Sequence, residues 1–282
     1  MYTYSRLNED LAYLSYSGID VGSIGTSIMG NSIPYIHVGE YCHPQSIITG
    51  GIHARENVTS LLVVRQAFRA AFKRCGFEGG IYFVPMVNPD GALLLEKGSC
   101  AMGGRAEFLC KINGGEDFSL WKANAAGVDL NNNFDALFGQ GVGQVKDPAP
   151  QGYAGPHAFS EPETKALRSF TVSVAPRITV SYHAMGRELY WYFFQEGEER
   201  ERDLRIAKRL EAATGYVRVD SDCGSSGGYK DWCIQNLRIP SFTIEIIGGC
   251  GKKHPIDCCD LDGDWEANKN VPYIVADAAG EV

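Results

Sequence analysis

The chain lacks most of what would send it to a membrane, to nucleic acid or into a disulfide framework. No uninterrupted apolar run approaches the ~18 residues that a membrane-spanning helix needs. Basic blocks are missing too: 26 Lys and Arg stand against 34 Asp and Glu, a net charge of −8. Such a balance suits neither nucleic acid nor an anionic membrane. Among nine cysteines (Cys42, Cys75, Cys100, Cys110, Cys223, Cys233, Cys250, Cys258 and Cys259) there is no CxxC pair. An odd, scattered set fits reduced thiols better than structural disulfides. No Ser/Pro-rich linker, composition shift, repeat or low-complexity tract divides the 282 residues, so one domain over 1–282 is expected. The N-terminal MYTYSRLNEDLAYLSY carries two acids and lacks the basic start and apolar core of a signal peptide. With the thiols, this leads to an expectation of a cytoplasmic protein; a leader removed before this numbering begins would instead make it an exported one.

What is present is an ordinary globular composition, 44% hydrophobic and 11% aromatic, enough for a substantial core. Helical spacing of apolar residues predicts helices over 4–16, 57–72, 161–174, 198–214 and 265–279. Short apolar runs predict strands over 32–39, 46–51, 80–87, 178–183, 188–194, 216–219 and 241–247. That alternation implies an α/β fold with a mostly buried sheet. The stretch 98–160, rich in Gly, Asn and Pro, has almost no periodicity and reads as a long excursion of loops. Such loops on an α/β scaffold commonly build the active site.

Three short segments carry chemistry. In Gly50-Gly51-Ile52-His53-Ala54-Arg55-Glu56, a strand runs out into two glycines, then His and Glu stand three apart where a helix begins. Imidazole and carboxylate are good zinc ligands, and a catalytic zinc usually takes three protein ligands. In Ser181-Tyr182-His183, a second His ends another apolar strand and offers the third ligand. In Ser241-Phe242-Thr243-Ile244-Glu245-Ile246, a carboxylate interrupts an apolar strand, costly unless it is paired or functional. Glu245 there suits a general base that takes a proton from the attacking water. Each segment alone has an ordinary alternative: a surface HxxE pair, a structural strand-end His, a strand Glu facing solvent.

Together, the chain resembles the zinc metallocarboxypeptidases. The landmarks occur in that family's order: GGIHARE (50–56), NPDG (88–91), WKAN (121–124), GVDLNNNF (127–134), SYH (181–183), GGYKDW (227–232) and SFTIE (241–245). The resemblance implies a three-layer α/β/α sandwich around a twisted, mixed, roughly eight-stranded sheet. It implies one zinc per chain on His53, Glu56 and His183, with Glu245 as general base. Asp129 matches the carboxylate that orients a ligand histidine. In the family a cation, usually Arg, follows the Trp that is Trp121 here, so Lys122 is the candidate oxyanion stabiliser, with Arg105 as a fallback.

The departures bear on the substrate. The family's Asn-Arg-Asn reads Asn131-Asn132-Asn133 here, without the Arg that clamps a substrate's terminal carboxylate. The tyrosine of the family's closing loop is replaced by Cys223 or a neighbour. Lys230, beside Tyr229 in GGYKDW, falls where the side-chain pocket residue sits and would favour a carboxylate there. Asn131, Asn132, Tyr229 and Lys230 are thus the expected substrate-binding set. These features resemble the bacterial branch that cleaves γ-D-glutamyl bonds to diamino acids in cell-wall peptides, making a muropeptide the expected substrate. Three other readings stand beside it: a metallocarboxypeptidase acting on C-terminal residues, acidic ones among them; a zinc-dependent deacylase or amidase; and a non-catalytic peptide-binding protein.

Overall fold

The computed structural model describes residues 1–42, 44–73, 76–249, 254 and 256–282. Two of the nine cysteines, Cys75 and Cys250, lie outside the described residues.

The sheet has eight strands: β1 (Asp20–Thr26), β2 (Ser32–Gly39), β3 (Gln45–Thr49), β4 (Gly80–Val84), β5 (Ile178–Ala184), β6 (Glu188–Tyr190), β7 (Val217–Val219) and β8 (Ser241–Ile246). Their order is β1-β2-β4-β3-β5-β8-β6-β7. The central four, β4, β3, β5 and β8, run parallel, and antiparallel pairs flank them on both sides. The sheet is mixed, as the resemblance implied. Parallel strands buried on both faces read as continuous apolar runs, which is why 46–51 and 178–183 stood out in the sequence.

Successive strand residues serve opposite faces. Ile48, Phe83, Val180 and Ile244 pack against Leu62 and Val63 of α2 (Asn57–Phe72), Leu210 of α6 (Gly197–Thr214) and Val275 of a C-terminal helix. Leu7, Leu11 and Leu14 of α1 (Tyr4–Tyr16) join this layer; the helix starts where the Thr3 hydroxyl accepts the Arg6 N–H at 3.1 Å. Ile47 and Val84 face the other way, toward Leu167 of α5 (Pro162–Val174) and Tyr229 and Trp232 of the short α7 (Tyr229–Trp232). Three layers result, helix on sheet on helix.

The structure departs from the expected elements in several places: α3 (Pro89–Lys97) and α7 were not expected, and the strands expected over 80–87 and 188–194 end at Val84 and Tyr190. β1 was not anticipated: it is a half-exposed edge strand interrupted by Gly22 and Gly25, with no apolar alternation to signal it. The single helix expected over 265–279 is two, α8 (Leu261–Asn268) and α9 (Val271–Ala279). Pro272 stands in the first turn of α9, where its missing N–H costs nothing, and it could not continue α8. The 98–160 stretch holds α4 (Ala106–Asn113) and its own apolar cluster, in which Leu94 of α3 (Pro89–Lys97), Met102, Leu109, Phe118 and Trp121 are buried. The excursion is therefore a packed annex of the sheet. No helix among the described residues is long and apolar enough to cross a membrane.

Candidate active site

β3, β5 and β8 are neighbours, and their C-terminal ends open on one crevice, the usual ligand position of parallel sheets. After β3 the chain turns at Gly51, whose φ of +60° and close approach to Ser60 leave no room for a Cβ. His53 then caps a single 3₁₀ turn, Ala54–Glu56, that feeds α2. Two backbone bonds strap that turn to the excursion: Ala54 N–H to Lys122 O at 3.2 Å and Arg55 N–H to Trp121 O at 3.0 Å. The fully buried Trp121 anchors the strap, its indole N–H donating to Ala123 O at 2.7 Å. Lys122 is thereby carried over the crevice. His183 and Glu245 are paired in register on β5 and β8 and share a face of the sheet.

The four side chains converge tightly. His53 Nδ1 lies 3.0 Å from Glu56 Oε1, and His183 Nδ1 lies 3.3 Å from Glu56 Oε2 and 3.2 Å from His53 Nδ1. Asp129 Oδ1 accepts from His53 Nε2 at 3.1 Å, and its other oxygen accepts the Gly152 N–H at 3.0 Å. With its proton on Nε2, toward Asp129, His53 turns the Nδ1 lone pair toward Glu56 and His183, the arrangement a metal ligand needs. Two imidazole lone pairs and a carboxylate aimed at one point repel one another unless a cation lies among them. Ligands on one tetrahedral zinc, at ~2.1 Å from it, stand roughly 3.4 Å apart, close to the spacings seen. His53, Glu56 and His183 are also the group of three that, among the described residues, could hold a metal. The donor set therefore fits zinc.

Electrostatics divide the acids. Burial opposes ionisation of Glu56, but the two imidazoles overcome it and hold the carboxyl well below its usual range. Burial likewise opposes Asp129, and His53 and Lys122 pull it down. In His53 burial disfavours the charged ring, yet Glu56 and Asp129 win and raise its pKa; in His183 burial prevails and lowers it. Glu245 behaves oppositely to the other acids: burial, then the charge of Glu56, push it up to about 8. Its Oε2 has no hydrogen-bond partner among the described residues, the condition of a base waiting for water.

Two connected lobes form the cleft. The first, of about 360 Å³, is lined by His183, Glu245, Thr243, Lys230, Asp231 and the 221–225 turn. The second, of about 230 Å³, is bounded by Asn132, Asp129, Gly143, Gln151 and Gly152. His53, Lys122, Asn131 and Val142 border both. A larger hollow of about 810 Å³ lies elsewhere, over α1, α2 and Trp265, without convergent ligand or base chemistry.

Not every expected site residue is in the cleft. Tyr229 points into the core, with its ring against Phe134 and Trp232 and its hydroxyl 2.8 Å from Thr171 Oγ1. Only its backbone N–H reaches the site, donating to Asn131 Oδ1 at 3.2 Å. The residue after it on α7 turns the other way, so Lys230 faces the cleft. But Lys230 is no free cation: Nζ donates to Asp231 Oδ1 at 2.5 Å and to Tyr192 O at 3.1 Å, and its side chain is 7% exposed. A substrate carboxylate would compete there with one already in place. Arg105 ends a 3₁₀ turn of the annex, donates to Ala125 O at 3.3 Å and borders neither lobe. Of the two proposed oxyanion cations, the structure brings only Lys122 to the centre. Sequence reasoning missed Asp231, Thr243, Val142 and Gln151. Of these, Val142 and Gln151 lie on an aperiodic loop that gave no signal.

The family model for zinc carboxypeptidases matches residues 10–268. The chain is 30% identical over 278 residues to gamma-D-glutamyl-L-diamino acid endopeptidase 1 of Lysinibacillus sphaericus, covering 93% of this chain and 68% of that protein. It is 29% identical over 248 residues to human carboxypeptidase B, covering 79% of this chain and 56% of that protein. It therefore spans only between half and about two thirds of these curated relatives. In fold it is similar to the carboxypeptidase A of Helicoverpa armigera, with a TM-score of 0.78, 18% identity, and coverage of 99% of this chain and 74% of that one. The zinc-ready triad, the buried carboxylate chemistry around it and a family match over most of the length lead to one conclusion: the chain belongs to the zinc carboxypeptidase family and is a zinc metallopeptidase.

Proposed function

We propose that this enzyme hydrolyses the γ-D-glutamyl bond to a diamino acid in peptidoglycan-derived peptides. The observation that carries the reading is the neutral Asn132 at the wall of a cleft whose hydrolytic set is complete. A C-terminal exopeptidase needs a cation for the terminal carboxylate, best supplied by Arg in two parallel hydrogen bonds. Here that position is an amide, and Lys230 is bound to Asp231. This also weakens the alternative of a carboxypeptidase for acidic residues. The 30% identity to a relative named for the γ-D-glutamyl-L-diamino acid bond supports the assignment. The seven described cysteines are free thiols, which supports a reducing, cytoplasmic setting and hence recycled muropeptides as the source of substrate.

The chemistry follows from the residues in place. Zinc held by His53, Glu56 and His183 supplies Lewis-acid polarisation of the scissile carbonyl and a positive field for the attacking water. Glu245 takes a proton from that water and returns it to the leaving amine. A cation held by those three ligands would favour the ionised form of Glu245, the form that can accept a proton. Lys122 stands over the centre as a point charge for the developing oxyanion.

Zinc-loaded enzyme incubated with L-Ala-γ-D-Glu-diaminopimelate and with a simple α-linked peptide, products read by mass spectrometry, tests the proposal. Chelator-sensitive cleavage of the γ-linked bond alone is expected. Cleavage of only the α-linked peptide at its C-terminus would make the protein a carboxypeptidase.

A further inference from the structure

His183 and Glu245 stand opposite each other on β5 and β8, and both strands run out just beyond them. β5 ends at Ala184 and β8 at Ile246. Each chain then takes a left-handed step without a glycine: φ is +55° at Arg187 and +60° at Ile247. Such a backbone is costly for a residue with a Cβ, most of all a β-branched one, and persists only where its surroundings hold it. The two turns touch directly, since Gly186 N–H donates to Ile247 O at 2.9 Å.

One side chain holds both. Asp264 of α8 is 1% exposed, and four donors converge on its carboxylate. Oδ1 accepts from Ile247 N–H at 3.1 Å and from Arg187 Nε at 3.2 Å, while Oδ2 accepts from Arg187 Nη2 at 3.0 Å. The Tyr216 hydroxyl is the fourth donor, also to Oδ1. The Arg187 side chain passes the bare backbone of Gly248 and Gly263, where a Cβ on either would lie 3.8 Å from it. Neither Asp264 nor Arg187 lines a lobe of the cleft. Whatever they give to the chemistry passes through the strand ends. Glu245 Oε2 has no hydrogen-bond partner among the described residues, so its place depends on the backbone that carries it.

We propose that Asp264 is a positioning residue: by clasping Arg187 and the Ile247 N–H in one carboxylate, it fixes the ends of β5 and β8 against each other and so sets the spacing of the ligand His183 and the base Glu245. The proposal rests on Glu245 as the base and is independent of which peptide bond is cut.

Variants of the zinc-loaded enzyme separate positioning from stability, assayed on whichever of the two peptides above is cut. Asp264→Asn cannot accept at both oxygens, and Arg187→Ala removes the guanidinium. Arg187→Lys keeps a charge there without the two-pronged grip. Tyr216→Phe deletes a bond to the same carboxylate but frees neither turn. For each, kcat and KM are taken per zinc-bound chain, urea unfolding gives the stability, and the visible spectrum of the cobalt-loaded form reports ligand geometry apart from turnover. We expect kcat to fall about tenfold or more in Asp264→Asn and Arg187→Ala, with KM within about twofold, since an ångström of misplacement can cost about 10²-fold. Their cobalt spectra should shift, and Arg187→Lys should fall between Arg187→Ala and wild type. Tyr216→Phe should lose stability yet keep the wild-type kcat and spectrum. Should Asp264→Asn fail to fold, the two Arg187 variants decide. Wild-type kcat in Arg187→Ala overturns the proposal. So does a Tyr216→Phe enzyme as slow as Arg187→Ala, because kcat would then follow stability alone. Glu245→Gln, run alongside, tells this inference from the reading beneath it: full turnover there removes the base, and the inference falls with it.

Discussion

Two clusters of carboxylates, buried but for the half-buried Glu245, border the annex, and their contrast shows what sets a candidate catalytic acid apart. In the first, Glu56, Asp129 and Glu245 share space with two imidazoles and Lys122. In the second, Asp90, Glu161 and Glu163 lie under the loops where β1–β2, the annex and α5 meet. There the partners are neutral. Asp90 accepts from the Ser27 hydroxyl, Met29 N–H and Asn31 amide; Asn124 donates to both Glu161 and Glu163; Ile28 N–H reaches Glu163 at 3.3 Å. Glu56, Asp129, Asp90, Glu161 and Glu163 are all buried, and Glu245 is half-buried. Countercharge differs between the clusters, and so the imidazoles hold Glu56 ionised while burial, helped by Asp90, pushes Glu163 up to about 7. Glu245 belongs to the first cluster by position, yet its pKa is raised as Glu163's is. It lacks the hydrogen bonds that satisfy Glu163, and its spare oxygen faces a cleft.

The sharpest test of that contrast is Glu245→Gln. Because Glu245 is not one of the three converging ligands, metal content should be unchanged while kcat falls by about 10²–10⁴-fold, the usual weight of a general base. Metal analysis beside steady-state kinetics reads both at once. Retained turnover would remove Glu245 as the base and leave it another satisfied strand acid.

The first cluster was legible in the sequence and the second was not, for a physical reason. His53, His183 and Glu245 sit at or near the ends of buried strands, where an apolar run broken by glycine or by a single polar residue marks them. Asp90, Glu161 and Glu163 lie in turns and helix starts, where acids are commonplace, and their burial comes from loops folding over them. The same division runs through the fold. The parallel core strands announced themselves, whereas the edge strand β1 did not, nor did α4 inside the glycine-rich annex. Lys230 and Tyr229 show the limit most plainly: one residue apart, they point to opposite sides of α7, and nothing local to GGYKDW says which faces the cleft or that Asp231 already holds the lysine.

A smaller effect is expected when the second cluster is relieved of its charge. Glu163 has a folded pKa above its unfolded one. Below about pH 4.5 both states are neutral and stability is intact; between there and about 7 the unfolded chain ionises first and stability is lost. At ~1.4 kcal/mol per pKa unit, the loss at pH 8 is on the order of 3 kcal/mol. Glu163→Gln, always neutral, should gain on the wild type by about that amount between pH 5 and pH 8, followed by urea unfolding. An identical difference between the two proteins at both pH values would mean that Glu163 is ionised in the fold and that the two clusters do not differ as argued.

Asp129→Asn gives the mildest and most specific perturbation, since it removes a countercharge from the first cluster without removing volume. Asp129 accepts two hydrogen bonds, from His53 Nε2 and from Gly152 N–H. Asparagine has one carbonyl and cannot serve both. If its oxygen stays on His53, its NH₂ faces the Gly152 N–H, donor against donor. If it flips to satisfy Gly152, its NH₂ points at His53 Nε2, which must then accept, and the ring proton moves to Nδ1, the atom aimed at Glu56 and His183. Either way the ligand set is weakened, and zinc affinity should drop about 10–100-fold, the range for partners that orient a ligand. Competition with a chelator reads this directly. The deficit should also be larger for Asp129→Asn than for Gln151→Ala, which borders the same lobe but touches no ligand. Equal retention of zinc by wild type and Asp129→Asn would show that the tautomer of His53 is set by something other than this carboxylate.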